Sequence, residues 1–440
     1  MTGGVTAVKV KAERFNIWGY TIGRIVSLFG TAIYQFALGL YVLQLTGSAM
    51  SFAITLMLGL IPAIVLNPLA GAVADRWDKK VIVVTTELGS GLLMIVVYLT
   101  SSFYGLELML IYTAAFLLTV LTTFYSIGLE AAKPNIVSER RLMTINSVGK
   151  IIESGSTIMG PMLGGIIFAL IDIRLFVLVN GISFLLSGLC MLFIQFRLFE
   201  QPEAGEREKR SGLVKDMREG WHYLMGRPDV RQRFAILILL NFFLTLTVTV
   251  PLPYILTTEL RLKPEVYGVV QAAFPAGMIA GAMMVTRMMA RWSYIVWLSR
   301  LSLGLAVCMI AVGIPVLLGE LGLGPCGHMA IYSTIMLSLG IMVALIDIPL
   351  LYYIQREVPE LYRGRVLSLG VSAAKILVPV AMAISGLSLS SVPVTYIPTI
   401  GGVLFLLFTV YSTSRAGRNL REREPARIDR VGAEDTTGSR

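Results

Sequence analysis

The chain has few of the residues from which soluble catalytic and metal sites are usually built. Of its 440 residues only 15% are charged, against roughly 25% in soluble domains. It has three cysteines and two histidines. Cys190 and Cys308 lie inside apolar runs, Cys326 lies in a loop, and His222 and His328 are far apart. No pair has metal-ligand spacing, so neither a disulfide framework nor a metal centre is expected. There is no phosphate-cradling Gly-rich loop ending in Lys-Ser/Thr and no nucleophile elbow, which argues against ATP-driven or acyl-transfer chemistry. Neither a cofactor nor an enzymatic activity is expected.

What the chain has is apolar length. It is 55% hydrophobic, with mean hydropathy +0.76, and its apolar residues gather into twelve runs near 15–43, 50–74, 81–101, 107–131, 143–170, 174–196, 232–257, 265–287, 294–318, 328–355, 366–390 and 393–414. Crossing a bilayer core takes about 20 residues of helix. The first run exceeds the roughly 7 to 15 residues of a signal-peptide core, so it is expected to stay as the first helix. Thr46–Ser48, Ser102–Leu106 and Asp172–Arg174 are connections too short for inserted domains.

A net charge of +10 invites a nucleic-acid reading until the basic residues are placed. With the N-terminus inside, 30 of the 37 Lys and Arg fall in cytoplasmic segments. Only Arg174, Arg261 and Lys263 fall outside, while Arg24, Lys150, Arg300 and Lys375 sit within spans. The positive-inside rule then puts both termini in the cytoplasm. The excess charge reports orientation in a lipid bilayer, and no nucleic-acid partner is expected. The expected organisation is an arm 1–14, a six-helix bundle 15–196, a linker 197–231, a second six-helix bundle 232–414 and a polar, disordered tail 415–440. Within the linker, Leu213, Met217, Trp221 and Leu224 recur at helical spacing, so Gly212–Met225 is expected to lie as an amphipathic helix on the membrane surface.

The charged hinge between the second and third runs reads Gly71-Ala-Val-Ala-Asp75-Arg76-Trp77-Asp78-Lys79-Lys80. It resembles the loop 2–3 signature of the major facilitator superfamily, with Asp78 standing where the family pattern carries Gly. The halves also show weak parallel repetition, Ile61-Pro62-Ala63 against Phe274-Pro275-Ala276, as that fold implies. The resemblance implies an all-α membrane protein of two pseudo-symmetric six-helix bundles. It implies a gate in which Asp75 meets the start of the eleventh span. Arg76 seeks a carboxylate, and Glu130 is the nearest by topology. Gly155, Gly160, Pro161, Gly164 and Gly165 in the fifth span resemble the Gly-Pro motif of drug–proton antiporters, expected to pack on the eighth span through Gly268, Gly277 and Gly281. Gln355–Pro359 and Arg363-Gly-Arg365 are most similar to the macrolide-efflux branch, which implies a bacterial plasma-membrane protein.

Ionisable groups inside spans are expensive in a bilayer and so are functional candidates. Asp347, Glu153 and Glu87 are the candidates for carrying protons, and Arg24, Lys150 and Lys375 are the intramembrane cations. Lys150 and Glu153, three residues apart, face each other on one helix, and an Asp347–Lys375 pair is expected between neighbouring helices. Each carboxylate serves either proton exchange or static packing. Tyr34, Gln35, Asn241, Phe242, Tyr254 and Phe274 are the candidates for lining a substrate path. The reading is a monomeric secondary transporter exporting a small amphiphile, macrolide-like, in exchange for protons. The alternatives are export of a siderophore, carriage of a lysophospholipid, or a membrane enzyme or non-transporting sensor.

Overall fold

A computed structural model describes residues 2–199, 213–289, 294–317 and 324–411. Among them the chain is helical, with no strand. Six long helices come first: α1 Thr2–Thr46, α2 Ala49–Arg76, α3 Lys79–Tyr104, α4 Leu108–Ile136, α5 Glu139–Leu170 and α6 Ile173–Phe193. The predicted surface helix follows as α7, Leu213–Gly226, packed mainly on α14. The second set comprises α8 Pro228–Leu244, α9 Pro251–Tyr254, α10 Pro264–Met289, α11 Tyr294–Ala311, α12 Ile314–Leu317, α13 Pro325–Glu357, α14 Glu360–Leu389 and a final helix, α15, Tyr396–Tyr411.

Ten helical stretches among the described residues are long and apolar enough to span a bilayer, and two shorter ones, Arg300–Val316 and Tyr396–Tyr411, fall at the ninth and twelfth runs. α1 extends well beyond the expected 15–43 at its N-terminal end. The seventh run is one continuous path in which α8 and α9 are joined and followed by wide π-type turns at Thr245–Thr249 and Ile255–Glu259. Pro251 and Pro253 lie between them. A proline has no N–H and its ring collides with the carbonyl four residues back, and a widened turn relieves both problems. The ninth run breaks at Val312-Gly313, where Gly313 lies against the Thr395 backbone.

α6 shows why these helices belong in lipid. Phe176, Val177, Gly181, Phe184, Gly188 and Met191 are buried, while Leu175, Val179, Ile182, Leu186, Leu189 and Phe193 are exposed on the other side. Both faces are apolar, so the exposed stripe has no use for water. Helices within each half approach closely through small residues. α3 meets α6 at Gly91 and Gly181, and α10 meets α13 so tightly that Gly277 and Gly340 leave no room for a side chain against Leu337 and Phe274 carbonyls. This is the packing that membrane helices use where lipid removes the hydrophobic drive to associate.

The two halves meet away from the hinge. Phe36 of α1 stacks on Tyr267 of α10, with centroids 5.0 Å apart and ring planes 8° from parallel. A Cβ on Gly165 would lie 2.8 Å from the Gly268 Cα, and one on Gly386 of α14 would lie 3.0 Å from the Ala53 Cβ of α2. Leu40, Leu43, Phe52 and Ala53 share one buried cluster with Val250, Ile255 and Met382. At the hinge, by contrast, Gly71 has no atom of a described residue within 4 Å of where a side chain would be, and Arg76 and Trp77 are exposed. The molecule is sealed at the end opposite the hinge. Gly165→Leu should prevent that seal, destabilising it by roughly 1–3 kcal/mol of overpacking. A thermal melt and cysteine labelling near Gln44 would check this. Gly155→Ala, whose new methyl would make only an ordinary contact with Phe29, should leave both unchanged.

Candidate functional site

The functional interior builds up from α1, α2 and α4. α1 carries Arg24, Ser27, Thr31, Tyr34 and Gln35, which recur every three or four residues and so lie along one side. Two cavities open beside this side. One, of about 250 Å³, is mainly apolar and is lined by Tyr34, Gln35, Leu38, Leu56, Leu60 and Leu118 together with Thr249 and Met382 from the second half. The other, also about 250 Å³, is more polar and includes Arg24, Ser27, Thr31, Gln35, Asn67, Thr122, Thr123, Tyr125 and Ser126. Gln35, Gly59 and Thr119 line both, so the two are neighbouring compartments. Tyr34 is buried and stacked with Phe176 at 6.5 Å.

Beside the polar compartment lies a charged cluster. Lys133 Nζ donates to Glu130 Oε2 at 2.5 Å and to Asn146 Oδ1 at 3.1 Å. Arg24 approaches the other Glu130 oxygen at 3.6 Å and donates to Ser126 Oγ at 3.4 Å. The Arg24 and Lys133 side chains are only 7% exposed whereas that of Glu130 is 48% exposed. Arg24 therefore does have a partner, although none is near it in sequence. Glu87 is fully buried, and its Oε2 accepts from Ser27 Oγ at 3.4 Å while Oε1 has no partner.

Several expected pairings do not form. Glu130 is occupied by Lys133 and Arg24, so it does not pair with Arg76, which makes no ion pair among the described residues. The reason is local: Lys133 stands one helical turn from Glu130, whereas Arg76 points into open surroundings. Asp347 and Lys375 also stay apart; Asp347 Oδ1 is buried without a partner, and Lys375 is exposed. Lys150 and Glu153 do pair, at 3.0 Å, with both side chains more than half exposed, so the pair is weakly stabilising. Gly160 and Gly164 pack against Ala32 and Phe36 of α1, and Gly155 lies near Phe29 there. Only Gly165 meets Gly268, beside the Pro161 carbonyl, while Gly277 and Gly281 face α13. Asn241 donates back to its own helix at the Leu237 carbonyl. Asn241, Phe242, Tyr254 and Phe274 do not line either compartment. The side chains of Asp75, Gln355, Arg363 and Arg365 lie outside the described residues.

The structure also brings forward residues that the sequence reading passed over. Glu13 accepts from both the backbone N–H and the hydroxyl of Ser138, at 2.7 and 2.5 Å, and so caps α5 from α1. Asn16 donates to the Ile136 and Gln195 carbonyls and accepts from the Gln195 N–H. Asp78 caps α3 through the Lys80 N–H at 2.8 Å and pairs with Arg197 at 2.6 Å. Partial desolvation raises the Asp78 carboxyl's pKa, but the Lys80 amide and the Arg197 guanidinium outweigh it, leaving the group below its ordinary value. These ties brace the first half at its hinge end.

A bundle of membrane helices in two halves that meet at one end and share a cavity is the architecture of a membrane transporter. The sequence model of the Major Facilitator Superfamily matches residues 20–382, and the chain belongs to that family. It is 22% identical to macrolide efflux protein A of Streptococcus pyogenes over 407 residues, 90% of this chain and 96% of that protein. It is 28% identical to the uncharacterised transporter YfiS of Bacillus subtilis, over 83% of this chain and 84% of that one. Among solved structures, a bacterial homologue of the iron transporter ferroportin in an inward-facing state superposes with TM-score 0.64 at 18% identity, covering 92% of this chain and 99% of that one.

Glu130→Gln would leave two buried cations without their carboxylate. Thermal unfolding should show destabilisation of about 2 kcal/mol, below the roughly 3–5 kcal/mol for breaking a fully buried pair, because Glu130 is half exposed. Removing one cation as well, in Glu130→Gln/Lys133→Met, should recover most of the loss.

Proposed function

We propose that this transporter exports small amphiphilic organic molecules, macrolides first among them, from a bacterial cytoplasm by alternating access coupled to protons. One observation carries the reading: the apolar compartment is walled by both halves, with Leu56, Leu60 and Leu118 on one side and Thr249 and Met382 on the other. A ligand there touches both halves, so rocking one against the other moves the ligand's access from one end to the other. The seal opposite the hinge and the open surroundings of Gly71 support an inward-facing state in which the hinge end is cytoplasmic.

The hinge then acts as the gate that closes in the outward-facing state, with Gly71, Asp75, Arg76, Lys79 and Lys80 meeting the second half. Glu87, Glu153 and Asp347 are the carboxylates able to exchange protons with the path. Asp347 is the candidate in the second half, because its Oδ1 is buried without a partner and no cation pairs with it among the described residues. The likeness to macrolide efflux protein A supports the substrate class and the direction.

The purified chain, reconstituted in liposomes with an imposed pH gradient, should move an erythromycin-type macrolide, and collapse of the gradient should stop the movement. Equal movement with and without the gradient would remove proton coupling, and no movement would remove the macrolide. Met382→Trp, which fills the apolar compartment from the second half, should lower initial rates at least about tenfold, equivalent to ~1.4 kcal/mol. It should leave membrane insertion intact.

A further inference from the structure

The polar compartment contains two buried donors with nothing to bond. Arg24 Nε has no partner, and its other nitrogens make only the long contacts to Ser126 and Glu130, at 3.4 and 3.6 Å. The Tyr125 hydroxyl, on a residue only 2% exposed, has no partner either. Both residues line the same cavity. A buried donor left unmet costs about 1–3 kcal/mol, more when charged, so two such donors at one cavity call for an acceptor from outside the chain. The threonines around them, Thr31, Thr122 and Thr123, donate to carbonyls of their own helices and accept from neither Arg24 Nε nor the Tyr125 hydroxyl.

The charges around the cavity set the sign of the missing group. Arg24 is the one formally charged side chain in its lining. Behind it, Glu130 is held by Lys133 at 2.5 Å, and Glu87, whose Oε2 accepts from Ser27, is not part of the lining. The apolar compartment begins at Gln35, Gly59 and Thr119, which line both spaces.

Resting on the transporter reading above, we propose that Arg24 and Tyr125 bind the hydrogen-bond-accepting, negatively charged head of the substrate, a carboxylate or a phosphate. The apolar body lies against Tyr34, Leu60 and Met382. The head group taken in this compartment is thus anionic, and a macrolide, whose amino sugar is cationic at neutral pH, is held through its apolar body alone.

The test is equilibrium binding to the full chain in an uncharged detergent, with dodecyl phosphate, dodecanoate and dodecyltrimethylammonium as probes of equal chain length. At least one anion should bind about tenfold or more tighter than the cation. A preference for the phosphate points to a lipid-type head group and a preference for the carboxylate to an organic acid; either supports the inference. Arg24→Gln should bring the anions and the cation within about twofold of each other. Because Arg24 also holds Glu130, Tyr125→Phe is the second variant: it should weaken the anions several-fold while leaving the melting temperature and dodecanol binding unchanged. Equal or tighter binding of the cation, or an anion preference that survives both substitutions, would overturn the inference. The measurement needs no transport, so a failure to move macrolide in liposomes and a failure here are separate results.

Discussion

Hydrocarbon offers a backbone no hydrogen bonds, so every stretch of this chain within the bilayer must satisfy its own polar groups. That constraint explains the long helices and the tight connections. It also explains where irregular backbone is tolerated. The two π-type turns around Pro251 and Pro253 are buried among Val248, Val250, Leu252, Ile255 and Leu256, where neighbouring protein replaces the lipid. Their backbone departs from the α-helical pattern on the wall that carries Thr249, beside the apolar compartment.

The same solvent decides what holds the halves together. Lipid gives apolar side chains no reason to leave it, so association relies on close approach and a few polar contacts. The two halves touch at one end through a stacked aromatic pair, two glycine approaches and a shared buried apolar cluster. Such an interface depends on shape. The ties at the other end of the first half are different in kind. Glu13, Asn16 and Asp78 accept from backbone N–H groups, and Asn16 also donates to carbonyls. They bind α1, α3, α5 and the segment after α6 into one piece. The first half is thus braced internally by polar ties and joined to its neighbour by apolar and close-packed contacts.

Most of the apolar helical runs and the helix in the linker were legible in the sequence because each rests on composition or short-range spacing, although α1 starts well before its run and the ninth run breaks at Val312-Gly313. Lys150–Glu153 was legible for the same reason, since three residues on a helix decide it. The pairings that failed were choices among distant partners. Arg76 had Glu130 within reach by topology, but Lys133 and Arg24 were closer in space, and only the crossing of α1 over α4 reveals the second of these. Asp347 and Lys375 sit on neighbouring spans, but adjacency of spans does not fix helix rotation. The Glu13 cap had a partial signal, because Ser138 precedes a helix start, where an N-cap is expected. Its own side chain makes no cap bond, and the acceptor arrives from α1.

The placement of charge gives the halves unequal work. Arg24, Glu87, Glu130 and Lys133 all belong to α1, α3 and α4, and a group ionised inside a membrane is retained only where partners or function offset its cost. Lys133 has its offset in Glu130 and Asn146. Arg24 has less, since its contacts are long and its Nε is bare. In the second half Asp347 has one buried oxygen without a partner, and Thr249 and Met382 bring no charge to the shared compartment. On the proposed reading, recognition of the polar end of a substrate falls to the first half, and the second half supplies an apolar wall through Thr249 and Met382.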